Sequence, residues 1–188
     1  MKKTILNARF GTLTFIVLAA GIIRLVPQPE NFAPIGAMAL FGGAYFGKKW
    51  QSFLIPLLAL FISDLVVNYA FYQKFVLFHE MAIWVYGAFA LNVIIGSTLI
   101  KKIKISTVIT SGIIAAVSFF IITNFGVWIA LGIMHIYPPT PAGLATCYIA
   151  GIPYFWGTLA GNIFYSALLF GVFEFAQKKY PVLALKTI

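Results

Sequence analysis

The sequence predicts an all-α, polytopic membrane protein: a bundle of six transmembrane helices, the second of them short, with both termini in the cytoplasm. Three observations lead there. The 188 residues are 62% hydrophobic and 9% charged, whereas a soluble domain carries roughly 25% charged residues to keep its surface wet. The apolar residues fall in runs long enough to cross about 30 Å of hydrocarbon at about 1.5 Å per residue. Finally, the 13 basic residues sit in short clusters between those runs. The net charge of +9 is therefore an orientation signal, and no nucleic-acid partner is expected. The length accommodates residues 1–188 as a single integral membrane domain without an appended soluble one.

Five runs are long enough to span: Phe10–Val26, Ser52–Tyr72, Ala82–Ile100, Ser106–Met134 and Pro153–Ala176. Lys2, Lys3 and Arg9 precede the first run as they would in a signal peptide. The apolar stretch nevertheless continues past Ala19-Ala20-Gly21 to Arg24, so a retained helix is expected. The shorter Pro34–Gly47, rich in small residues, either crosses inside the bundle or re-enters. Charge decides between these. If it crosses, every basic residue except Arg24 and Lys74 falls on one side; if it turns back, Lys48 and Lys49 fall on the other. The positive-inside rule therefore favours six crossings, in a bacterial inner membrane, with Glu30 and Glu80 outside. Gly143–Ile152 reads as a separate short segment leading into the last helix. The proline-rich connections Pro27–Asn31 and Tyr137–Pro141 cannot continue a helix. Trp50, Tyr72, Trp84, Tyr137, Tyr154, Trp156 and Tyr180 lie near span ends, as interfacial aromatics do.

A polar side chain in hydrocarbon costs several kcal/mol unless it faces protein or water, so the few present are informative. Asp64 lies in the third span with Asn68 one turn beyond it, and Arg24 lies in the outer quarter of the first. Asn92 is near the middle of the fourth. Thr123 and Asn124 interrupt the fifth, with Trp128 a turn further out, and Asn162 is two turns into the last. Arg24, Asp64, Asn68, Asn124, Trp128 and Asn162 all map to the outer half, while the inner half offers almost no strongly polar intramembrane side chain. Taken singly, each has a structural reading, Asp64 pairing with Arg24 and the asparagines bonding between helices. Together they point to a polar pocket open to the outside.

Ala39, Gly43 and Gly47 recur at four-residue spacing, and Gly157 and Gly161 form a second small-residue step. Such stripes let backbones approach closely, within the chain or against a partner membrane subunit. Cys147, His79 and His135 match no zinc spacing, so neither a metal nor a cofactor is expected; a buried cysteine and interfacial histidines account for them, with a soft metal ligand at Cys147 as the alternative. The chain has no His-Glu-x-x-His, Gly-x-Ser-x-Gly or Walker sequence, hence no evident hydrolase or ATPase centre.

Several stretches resemble a family of small bacterial membrane proteins without assigned function. They are Arg24-Leu25-Val26-Pro27, Asn31 through Gly43, Ser63-Asp64-Leu65, Thr123 through Trp128, and the stretch from Tyr137-Pro138 to Leu169-Phe170-Gly171. This resemblance covers most of the chain and implies an acid where the chain has Asn162. That family is similar, more loosely, to the substrate-capture (S) components of energy-coupling-factor vitamin transporters. The likeness implies six helices, an outward pocket for a vitamin-like solute contacted by Asp64, Asn68, Asn124, Trp128 and Asn162, and a coupling subunit with ATPases docking on the Ala39/Gly43/Gly47 stripe. A corrinoid ligand would give Cys147 a use as a cobalt ligand. The expected function is a transporter subunit that captures solute and is not an enzyme. The alternatives are a non-catalytic scaffold or assembly subunit, and a lipid-modifying enzyme using Asp64, His79 or His135.

Overall fold

The segment after Pro34 has no polar side, and a helix apolar all round has to be buried all round. The computed structural model, which describes residues 2–133 and 136–184, places it accordingly. Its helices are α1 (Lys2–Ile23), α2 (Ile35–Tyr45), α3 (Lys49–Tyr72), α4 (Ala82–Leu99), α5 (Ile105–Ile133) and α6 (Pro141–Lys179), followed by a 3-10 turn at Pro181–Leu183. Helix α2 touches each of the other five, and every residue from Gly36 to Gly43 is buried. His135, Lys186 and the expected span end at Met134 lie outside the described residues.

Helices α3 to α6 are long and apolar enough to cross a bilayer, while Ala8–Ile23 and Ile35–Tyr45 are shorter apolar helices. Large apolar side chains ring the outside: Phe15, Ile62, Ile83 and Phe175 are each more than half exposed. In water that surface would be untenable; against lipid it is the expected one. This is a multi-pass membrane protein. The 11 residues of α2 rise only about 16 Å, roughly half of the hydrocarbon thickness.

Two glycines let α2 lie against α4. A Cβ on Gly43 would strike the Val93 carbonyl and the Ser97 nitrogen, and one on Gly96 would strike the Leu40 backbone. Ala39 is fully buried. The expected partner-docking stripe is thus corrected: Ala39 and Gly43 are consumed by the chain's own packing, and only Gly47 has open space around its Cα. The second step has a different use. Gly157 receives the Glu30 carbonyl and Gly161 the Ala33 backbone, so α6 is smooth where the irregular α1–α2 connection descends along it. Within that connection Phe32 and Ala33 are half-buried and Pro34 is buried, while Pro29–Asn31 are exposed; irregular backbone is tolerated at such a position where it packs on protein or lines a cavity, as Asn31 and Ala33 do. Asn31 turns the chain there with φ 57°, a left-handed conformation to which asparagine is suited.

Three further expectations are corrected. Gly143–Ile152 is not a separate segment: α6 runs unbroken for 39 residues through Pro153, about 58 Å. Its start is capped by the Thr140 hydroxyl oxygen, which accepts from the Gly143 N–H at 3.1 Å. Arg24 lies one residue beyond α1, at its C-terminal turn. The lysine-bearing end also has a polar network. Buried Arg9 donates from Nη1 to Gln177 Oε1 at 2.7 Å and to the Leu183 carbonyl at 2.6 Å, its guanidinium 5.0 Å from the Phe173 ring centroid. Beside it, Glu174 Oε1 accepts from the Tyr45 hydroxyl and from Gln177 Nε2.

The glycine contacts make a paired prediction. Gly43→Val should lower the melting temperature of the detergent-purified protein, since overpacking of this kind costs about 1–3 kcal/mol. Gly47→Val should leave it unchanged, as read by thermal unfolding followed by circular dichroism.

Candidate ligand chamber

Because α2 starts only at Ile35, the axis of the bundle beyond its first turn is empty of helix. The space left is a chamber of about 320 Å³, with Ala33, Ile35 and Gly36 lining it from the α2 side. Its walls take a polar side chain from nearly every surrounding element: Arg24 after α1, Asp64 from α3, Asn92 from α4, Thr123 from α5, and Thr158 and Asn162 from α6.

Arg24 and Asp64 form a buried ion pair, Nη2 to Oδ1 at 2.8 Å, with side chains 11% and 7% exposed. Arg24 Nη1 also donates to the Ser63 hydroxyl and to the Leu60 carbonyl, and the Tyr86 hydroxyl donates to Asp64 Oδ2 at 2.8 Å. Both carboxylate oxygens are therefore engaged, and the pair ties the end of α1 to α3 and α4. Its formal charges cancel.

The two buried asparagines behave differently. Asn162 donates from Nδ2 to the Gly112 carbonyl of α5 at 3.3 Å, and its amide lies so close to Gly36 that no Cβ fits there. Asn92 is fully buried. Its Oδ1 accepts from the Ser118 hydroxyl at 3.2 Å, but its Nδ2 has no partner among the described residues. In the connection before α4, His79 Nδ1 accepts from the Met81 N–H at 3.2 Å. That places the ring proton on Nε2.

A second space of about 360 Å³ adjoins the first. The two share Asn31, Phe119, Thr123, Val127 and Thr158, so they form one compound cavity. The second is aromatic, walled by Phe119, Phe120, Tyr154 and Phe155 between α5 and α6. Phe120 meets Phe155 at 62° and a centroid distance of 5.2 Å. Tyr154, nearly half exposed, stands at its mouth.

Of the six expected site residues, Arg24, Asp64 and Asn162 line the first chamber and Asn124 lines the second. Asn124 is restrained by its own helix, donating from Nδ2 to the Phe120 carbonyl at 2.9 Å. Asn68 and Trp128 line neither. Asn68 donates to the Val76 carbonyl at 3.0 Å and Trp128 to the Pro138 carbonyl at 3.0 Å, so each holds down a loop. Cys147 also faces the aromatic chamber, its thiol donating to the Asn124 carbonyl at 3.4 Å. Among the described residues no cluster of three His, Cys, Asp or Glu is arranged to hold a metal.

A family-wide sequence pattern matches this chain over residues 4–183. The chain belongs to DUF6580, a family of unknown function. No curated protein and no solved structure matches it. The chamber of this DUF6580 member is lined by α3 to α6 and by residues between Arg24 and Gly36. The site set read from the sequence omitted Asn92, Thr158 and Asn31. For Asn92 the signal was present, an amide at the middle of an otherwise apolar helix. Thr158 and Asn31 gave none, because threonine is ordinary in membrane helices and asparagine ordinary in loops.

The ion pair makes a double-mutant prediction. Arg24→Leu alone should destabilise the fold by about 3–5 kcal/mol, because it leaves a buried carboxylate without its cation. Arg24→Leu with Asp64→Leu should recover most of that loss, as measured by denaturant unfolding in detergent.

Proposed function

We propose that this chain is the solute-capturing subunit of a bacterial inner-membrane transporter, resembling the S components of energy-coupling-factor systems, with no ATPase of its own. The observation that carries this reading is the compound cavity itself. A bundle otherwise packed with apolar side chains gathers Arg24, Asp64, Asn92 and Asn162 around open space at one end, next to an aromatic-walled extension. Cavities totalling a few hundred Å³, mostly apolar with a few placed polar groups, are the usual form of a small-molecule site.

Orientation supports the same reading. The positive-inside rule assigns Lys48, Lys49, Lys101, Lys102, Lys104, Lys178 and Lys179 to the cytoplasm. The chamber, at the opposite end, then opens outward, where a water-soluble vitamin or metabolite would arrive. An energising membrane subunit with ATPases would be a separate partner. It would dock on a surface other than Ala39 and Gly43, which the fold has buried.

The purified protein, without ATP, is expected to bind one member of a panel of thiamin, riboflavin, biotin, pantothenate and cobalamin. Binding would show as a bound mass in native mass spectrometry and a raised melting temperature, and Asn124→Ala should weaken it. A protein that emerges ligand-free from its own host and is unmoved by the whole panel would overturn solute capture.

A further inference from the structure

The lining of the chamber next to α2 holds hydrogen-bond donors that the protein leaves open. Helix α2 begins at Pro34 with no side-chain cap, so the N–H groups of its first turn lack intrahelical partners. Ile35 and Gly36 of that turn line the chamber, and the helix dipole adds partial positive charge there. Asn92, on the chamber wall, is 0% exposed and keeps an Nδ2 donor with no partner among the described residues. His79 also lines the chamber, its Nδ1 occupied by the Met81 N–H.

Asp64, the carboxylate in that lining, is offset by its cation. Both oxygens of Asp64 are held, by Arg24 and by Tyr86, and Asn92 Oδ1 is held by Ser118. An unpartnered buried amide donor is a destabilising feature that native structures rarely keep. It becomes intelligible if a ligand atom completes it.

We infer that the captured solute carries a carboxylate, received by the first turn of α2 and the Asn92 amide, with a flat ring body in the aromatic chamber between α5 and α6. This rests on the solute-capture reading and names its substrate class. A carboxylate is acceptor-only, so it meets a donor lining without bringing donors of its own. The corresponding amide would bring no negative charge to the amino end of α2. A cation would face both the amino end of α2 and Arg24. The Arg24–Asp64 pair adds no net charge, so the partial charge of the α2 amino end and the open Asn92 donor are what select.

The test uses the full chain in detergent with two matched pairs of probes, benzoate against benzamide and nicotinate against nicotinamide, and 1-methylnicotinamide as the cation. Calorimetry should show each carboxylate binding at least about ten-fold tighter than its amide, the usual scale for a hydrogen bond to a charged group. Asn92→Leu should weaken the carboxylates by about ten-fold while leaving the melting temperature of the free protein equal or higher. A merely structural asparagine would lower it. Asn92→Asp, which keeps the oxygen facing Ser118, should weaken carboxylates more than amides.

An amide or the cation binding as tightly as the carboxylates, or carboxylate affinity unmoved by both Asn92 variants, overturns the inference while solute capture stands. So does capture of a solute without a carboxylate while benzoate and nicotinate fail to bind. If neither these probes nor any vitamin of the panel binds, capture falls and the inference with it.

Discussion

The short central helix is the constraint from which the rest follows. Five helices packed around one axis need something apolar at the centre, and α2 supplies it with 11 residues that have no polar face. Its side chains are small where it meets α4, and the Gly43 and Gly96 contacts bring two backbones together without intervening side chains. That close approach anchors the lysine-bearing end of the molecule. At the other end the same helix has simply run out. The surrounding helices continue past its first residue, and the volume they enclose is left for the polar chamber.

Polarity and emptiness therefore coincide for a physical reason. Arg24, Asp64, Asn92 and Asn162 would be costly facing lipid. They gather around the space at the start of α2, with Asn162 packed directly on Gly36. The ion pair makes the point sharply, since it joins the end of α1 to α3 and α4 at the level where α2 no longer holds them together. The connection between α1 and α2 completes the enclosure by lying on the glycine face of α6. It carries Asn31 to the boundary shared by the two chambers. Arg9, Tyr45, Glu174 and Gln177 do comparable stapling at the lysine-bearing end, but around packed aromatic rings rather than around a space.

Much of the fold was legible because hydrocarbon imposes a simple rule on sequence. Long apolar runs had to be helices, and their ends agree with the structure to within a few residues for α3, α4 and α5. The rule failed where a residue signals a boundary in water but not in a bundle. Pro153 looks like the start of a helix, yet α6 passes through it, seated by Gly151 against Asn124 and Gly157 against Glu30. Of the site, Arg24, Asp64 and Asn162 were readable as polar groups too expensive to be idle. Asn68 and Trp128 looked the same in sequence but serve the loops, since spacing along one helix says nothing of which loop folds back over it.

The sequence by itself determined the solvent, the helices and the unequal distribution of charge and polarity along them, because each is a property of residues taken locally against lipid or water. Only the tertiary structure decided that the second, short helix is the centre of the bundle and that its stripe of small residues is spent on α4. It alone decided that Arg24 and Asp64 pair, and that Asn92 is left with an unused donor beside a cavity. These are relations between segments distant in the chain, set by which helix ends first and by how closely two backbones approach. No single stretch of sequence contains either quantity.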